Sequence, residues 1–123
     1  MMDEEVIYYY STEDEAQIVI QFEIESSSVL EIGEQINQIN SEAYMNGYGW
    51  GAFIEYYFGK HHPELMKGMI VDPEAGCFFA EYDNSDENEE KAKSVVQIIQ
   101  ELLKDEKKLF AIIRKEGNLI PWE

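Results

Sequence analysis

Cysteine is almost absent from this 123-residue chain: Cys77 stands alone. No disulfide can close within it, and a reducing compartment is the expected setting. Cationic residues are missing from the whole first half. Residues 1–59 carry twelve Asp or Glu and no Lys or Arg, the first basic side chain being Lys60. The opening Met1-Met2-Asp3-Glu4-Glu5 is the opposite of the cationic start of a signal peptide. No apolar run has the length needed to span a bilayer. A soluble, cytoplasmic protein is expected.

The groups that carry most chemistry are scarce too. His61 and His62 are the only histidines. As neighbours they point apart on either a helix or a strand, so they do not easily share a metal. There is no CxxC pair and no His-x-x-x-His. Gly47, Gly49 and Gly51 alternate without the strand-loop-helix setting or the following Lys of a phosphate loop. No metal and no cofactor are expected.

What the chain does have is apolar content and negative charge. Residues of hydrophobic type make up 45% and aromatics 13%, enough for one core and an argument against disorder. The length suits a single domain over residues 1–123. The net charge is -17, from nine Lys or Arg against 26 Asp or Glu; solubility in a small domain needs a magnitude of only roughly 2–8. Such a field repels nucleic acid and anionic membrane and steers a basic protein inward.

Along the chain, Val6 to Tyr10 is rich in β-branched and aromatic residues and reads as a strand. Gln17 to Glu25 alternates, with Ile18, Ile20, Phe22 and Ile24 on one face and Gln17, Gln21, Glu23 and Glu25 on the other. The two make an antiparallel hairpin that is wet and acidic on one side. Ser28 with Glu31 suggests a capping box, and Ile32, Ile36, Ile39 and Ala43 follow at helical spacing. Asn46-Gly47-Tyr48-Gly49 is expected to end that helix. Trp50, Phe53, Ile54, Tyr57 and Phe58 form the stripe of a second helix, which Gly59 and Pro63 stop, with one more turn over Glu64 to Gly68.

Asp72-Pro73-Glu74-Ala75-Gly76 reads as a turn into a strand from Cys77 to Tyr82, with Phe78, Ala80 and Tyr82 on one face. The acids from Asp83 to Glu90 suit the first turn of a helix whose apolar face holds Ala92, Val95, Val96, Ile99, Leu102 and Leu103. A shorter helix carries Leu109, Ile112 and Ile113, and a fourth strand is expected near Leu119-Ile120. The fold class is α+β: a small antiparallel sheet of three to four strands with helices packed on one face.

Cys77 beside a histidine and Asp72 has the makings of a thiol nucleophile, but its strand neighbours Phe78 and Phe79 favour inert packing. Paired carboxylates mean little in so acidic a chain. Enzymatic activity is not expected. Trp50, Phe53 and Tyr57 belong to the core stripe, whereas Tyr48, and Tyr56 beside Glu55, are better placed for contact with a partner.

At Asn46-Gly47-Tyr48-Gly49-Trp50 and at Asp72-Pro73-Glu74-Ala75-Gly76-Cys77-Phe78, the chain resembles the Immunity protein 51 family, bacterial proteins encoded beside polymorphic toxins. The resemblance covers most of the chain. It implies an α+β protein that neutralises a cognate toxin by direct, stoichiometric binding, and it hands over no contact residues. Acidity suggests a basic target such as a nuclease. From the residues themselves, the partner is expected on the wet side of the hairpin and its turn, through Glu13, Asp14, Glu15, Glu23 and Glu25, with Glu55 and Tyr56 as a second patch. The protein is expected as a monomer or weak dimer. An acidic mimic of nucleic acid, which would occupy a DNA- or RNA-binding protein, is the competing reading. A small hydrolase using Cys77 or His61 is a further one.

Overall fold

The computed structural model describes residues 6–122, so the acidic opening at residues 1–5 lies outside it. The alternating segments form the hairpin. Strand β1 (Ile7–Ser11) pairs antiparallel with β2 (Gln17–Phe22), in a register that sets Ile7 opposite Phe22 and Tyr9 opposite Ile20. Between them, the Thr12 hydroxyl and the Ala16 N–H both donate to Asp14 Oδ1, at 2.7 and 3.1 Å. Glu15 adopts φ 57°, a left-handed conformation that costs a non-glycine residue energy and is tolerated in a tight turn.

Helix α1 (Ser27–Ile39) begins two residues earlier than a Ser28–Glu31 capping box would place it. Leu30 N–H already donates to the carbonyl of Ser26, the N-cap residue, so Ser28 lies inside the helix, where its hydroxyl cannot cap. The helix stops at Ile39 because Asn40 is extended, and Ala43 is buried in the loop that follows.

Asn46 does not close α1; it opens α2 (Gly47–His61), its side chain accepting a hydrogen bond from Gly49 N–H at 2.9 Å. Gly47 is there for close approach rather than for positive φ. A Cβ on it would lie 1.6 Å from the Glu74 carbonyl oxygen.

Gly59 sits within α2, and Pro63 starts the short helix α3 (Pro63–Met66). The fourth strand is β3 (Ile70–Val71), not Leu119–Ile120, where the chain instead makes a 3-10 turn over Gly117–Leu119. Proximity of residue 70 to β4 (Phe78–Asp83) through a short connection explains the difference.

Helix α4 (Asp86–Lys104) is capped by Ser85, which accepts from Asn88 N–H at 3.0 Å, and Asp86, Glu87 and Glu89 oppose the helix dipole in its first turn. Helix α5 (Glu106–Glu116) is capped by Asp105.

The sheet order is β1-β2-β4-β3, every neighbouring pair antiparallel. Ile7, Ile18, Ile20, Phe22, Phe78, Ala80 and Tyr82 are buried on its inner face. Helix α4 packs on β1, β2 and β4, and α2 packs on β4. The α2 stripe completes the core: Trp50 meets Phe22 edge-on at 5.1 Å, and Phe53 stacks on Tyr57 at 5.7 Å. Such pairs add about 0.5–1.5 kcal/mol each beyond burial. With both helices committed to one side, no helix among the described residues is laid across the other face of the sheet.

Candidate functional site

The open face follows from strand period and register. Because alternate residues face opposite ways, Tyr8 and Tyr10 of β1, Gln17, Val19 and Gln21 of β2, and Phe79 and Glu81 of β4 point away from the core. The register lines them up in rows. Tyr10 stands opposite Val19, Val19 opposite Glu81, and Glu81 opposite Ile70; beside them Tyr8 faces Gln21 and Gln21 faces Phe79. Ile70 is 57% exposed and Tyr10 41%, values that mark an apolar surface left in water.

A polar network holds these side chains in place. Tyr8 Oη and Gln21 Nε2 each donate to Glu23 Oε2 at 2.6 Å, and Tyr10 Oη donates to Gln21 Oε1 at 2.9 Å. Gln17 Nε2 donates to Glu81 Oε1 at 3.2 Å. The hydrogen bond to Glu23, burial and the nearby negative charge push the Tyr8 hydroxyl up to about 12, so it stays a donor at any physiological pH. The ion pairs among the described residues are Lys60–Glu116, Lys91–Glu87 and Lys93–Glu90. None reaches Glu23, Glu81 or Asp83.

The residues singled out from sequence fall into three places. Glu13, Asp14 and Glu15 are exposed on the hairpin turn, at one end of the open face. There the Thr12 hydroxyl, and after it the Ala16 N–H, hold the Asp14 carboxyl below its usual range. Glu23 stands at the other end. Glu25 leaves the face: it is exposed in the turn after β2, with its carboxylate over Gly76. Glu55 and Tyr56 lie on α2. Glu55 is exposed, while Tyr56 is half-buried and donates its hydroxyl to Glu116 Oε1 at 2.7 Å.

Sequence reasoning missed the apolar half of the open face: Tyr8, Tyr10, Val19, Phe79 and Ile70. Phe79 and Glu81 were detectable as the residues out of phase with Phe78, Ala80 and Tyr82. That they stand beside β2 is decided by a pairing between residues far apart in the chain.

The groups weighed for catalysis are differently disposed. Cys77 donates its thiol to the Phe22 carbonyl at 3.2 Å, and burial, with Glu23 nearby, pushes it up to about 11. It is therefore protonated and a poor nucleophile at neutral pH. The His61 ring packs on Tyr57 at 4.7 Å, and His62 on Phe58 at 5.7 Å. Among the described residues no three His, Cys, Asp or Glu gather as a metal would need, and no helix is long and apolar enough to cross a membrane.

A four-stranded antiparallel sheet with helices on one face defines a small α+β protein, and its other face is aromatic and acidic, with no Lys or Arg among the described residues that point from it. The chain belongs to the Immunity protein 51 family, whose sequence model matches residues 9–118. The two stretches that carry the resemblance meet in space, Gly47 N–H donating to the Ala75 carbonyl at 2.9 Å. Membership gives the protein an immunity role and implies a toxin as partner. No curated protein and no solved structure matches the chain.

Proposed function

We propose that this protein neutralises a cognate bacterial toxin in the cytoplasm by direct, stoichiometric binding, and that the toxin seats a basic surface on the open face of the sheet. The observation that carries this reading is the open face itself, where exposed Tyr10 and Ile70 and half-buried Tyr8, Val19 and Phe79 lie between carboxylates, with no Lys or Arg among the described residues there. Tyr8, Tyr10, Phe79 and Ile70 supply the apolar anchor. Glu23 and Glu81 set polarity, and Glu13, Asp14 and Glu15 extend the negative field along the turn. Glu25 lies beyond the end of this surface, over Gly76, and Glu55 and Tyr56, on α2 behind the sheet, form a separate secondary patch. Charge of this sign sets the association rate, and the desolvated aromatics hold the complex together. The protein acts by occupancy, and no catalytic residue is assigned.

The test is co-expression with the toxin-like reading frame adjacent to its gene, scoring growth and co-purification. A one-to-one complex is expected. Glu23→Lys with Glu81→Lys should weaken it by roughly tenfold or more at low salt. Unchanged affinity in that double variant would move the interface off the sheet. A nucleic-acid mimic shares the net charge of -17, and differs in two outcomes: it binds several unrelated nucleic-acid proteins, and duplex DNA displaces it.

A further inference from the structure

The exposed large apolar side chains do not all belong to the open face. Leu30 and Tyr44 are 47% and 71% exposed, and both line a groove of about 450 Å³ between α1 and the loops at residues 44–46 and 75–76. Its floor is apolar. Ile24 and Met45 are buried beneath it, and Gly33 lets Met45 lie close, since a Cβ at residue 33 would stand 3.0 Å from Met45 Cβ.

Two carboxylates, Glu25 and Glu34, line the same groove, and no Lys, Arg or His does. Glu25 lies across Gly76, its carboxylate 3.1–3.3 Å from where a Cβ would be. The contrast with Glu23 is informative. Glu23 takes two hydrogen bonds from its neighbours, whereas no described residue gives Glu25 or Glu34 a side-chain hydrogen bond or a cation. Unpaired acids above an apolar floor and beside an exposed tyrosine are complementary to one kind of side chain. It must carry positive charge on an apolar stem.

We propose that the groove is an arginine slot, which receives one arginine on a surface loop of the toxin. The stem would lie on Leu30 and Met45, the guanidinium would meet Glu25 and Glu34, and its plane would stack on the Tyr44 ring. Arginine suits this better than lysine because its planar fork pairs with carboxylates and stacks on aromatic rings, and it is the more weakly hydrated cation. The groove's lining begins at Ile24, the residue after Glu23, so one partner can occupy both it and the open face. The identity of that partner rests on the immunity reading; the slot's chemistry does not.

Two measurements separate them. In the first, the ¹⁵N-labelled full chain is titrated with N-acetyl-arginine amide, N-acetyl-lysine amide and the neutral isostere N-acetyl-citrulline amide. Saturable shifts confined to the amides of Gly33, Tyr44 and Gly76 are expected with arginine, weaker with lysine and absent with citrulline. Glu25→Gln with Glu34→Gln, both exposed positions that leave the core intact, should abolish them. No saturation, equal shifts at the Glu13–Glu15 turn, or an equal response to lysine would overturn the slot. In the second, the same double variant is compared in the toxin complex with Glu101→Gln plus Glu106→Gln, which removes equal charge elsewhere. A loss of roughly tenfold in the first pair and little in the second is expected. Equal effects overturn the slot and leave the immunity reading standing. Failure of any complex to form with an active toxin overturns the immunity reading, and the titration still decides the slot.

Discussion

Glu116 shows how a single residue ties distant parts of this chain together. It is the one charged side chain among the buried residues described, and on α5 it accepts hydrogen bonds from Tyr56 Oη and Lys60 Nζ of α2. Lys60 first, then Tyr56, hold its carboxyl below the ordinary carboxylate value of 4.5. A carboxyl depressed on folding stabilises the native state above its unfolded pKa, and that stability is lost as pH falls through the folded value. Glu116→Gln should therefore lower the Tm at pH 7 by about 3–6 °C. It should also flatten the loss of stability that the parent shows below about pH 4.5, measured by denaturant unfolding across the acid range. A variant with the parent's acid limb intact would show that Glu116 is not its source. Tyr56 was expected as a contact residue because it follows Glu55 on an outer face; its hydroxyl is engaged by a carboxylate sixty residues away, which no local pattern reveals.

Among the elements, α2 is the one whose position shapes the rest. Its stripe from Trp50 to Phe58 was legible because 3.6-residue periodicity is written in adjacent positions. Its start was not. Asn46 and the glycines after it look equally suited to ending a helix or beginning one, and the choice is made by packing: α2 starts where its backbone can lie against residues 74–77. The expected consequence is a pair of opposite effects. Gly47→Ala, with its Cβ forced to 1.6 Å from the Glu74 oxygen and 2.8 Å from the Cys77 oxygen, should cost about 3 kcal/mol or more. Gly59→Ala, in the same helix with nothing within 4 Å of the new Cβ, should stabilise by about 0.5–1 kcal/mol. Thermal and denaturant melts of the two variants check both signs.

For the molecule as a whole, a net charge of -17 acts on folding and on binding in opposite senses. Self-repulsion among acids destabilises the compact state, and salt screens it. Raising NaCl from about 20 mM to about 0.5 M should lift the Tm of the free protein by a few degrees. The same salt should weaken its complex with a basic toxin. A Tm that does not move would mean that the acids are spaced beyond mutual repulsion.

Local spacing was enough to determine the α+β class, the two-sided hairpin, the α2 and α4 core stripes, and the absence of cations from the first half. All but the last, which is composition over residues 1–59, depend on residues within a few positions of one another. Tertiary structure alone decided that β2 lies between β1 and β4, which puts Phe79 and Glu81 beside Tyr8, Tyr10 and Val19. It also decided that Glu25 turns away from Glu23 into a groove closed by residues 75–76. The physical reason is that strand pairing and backbone close approach are contacts between distant segments. They are selected by how a shared core packs, and neighbours in sequence carry no record of that selection.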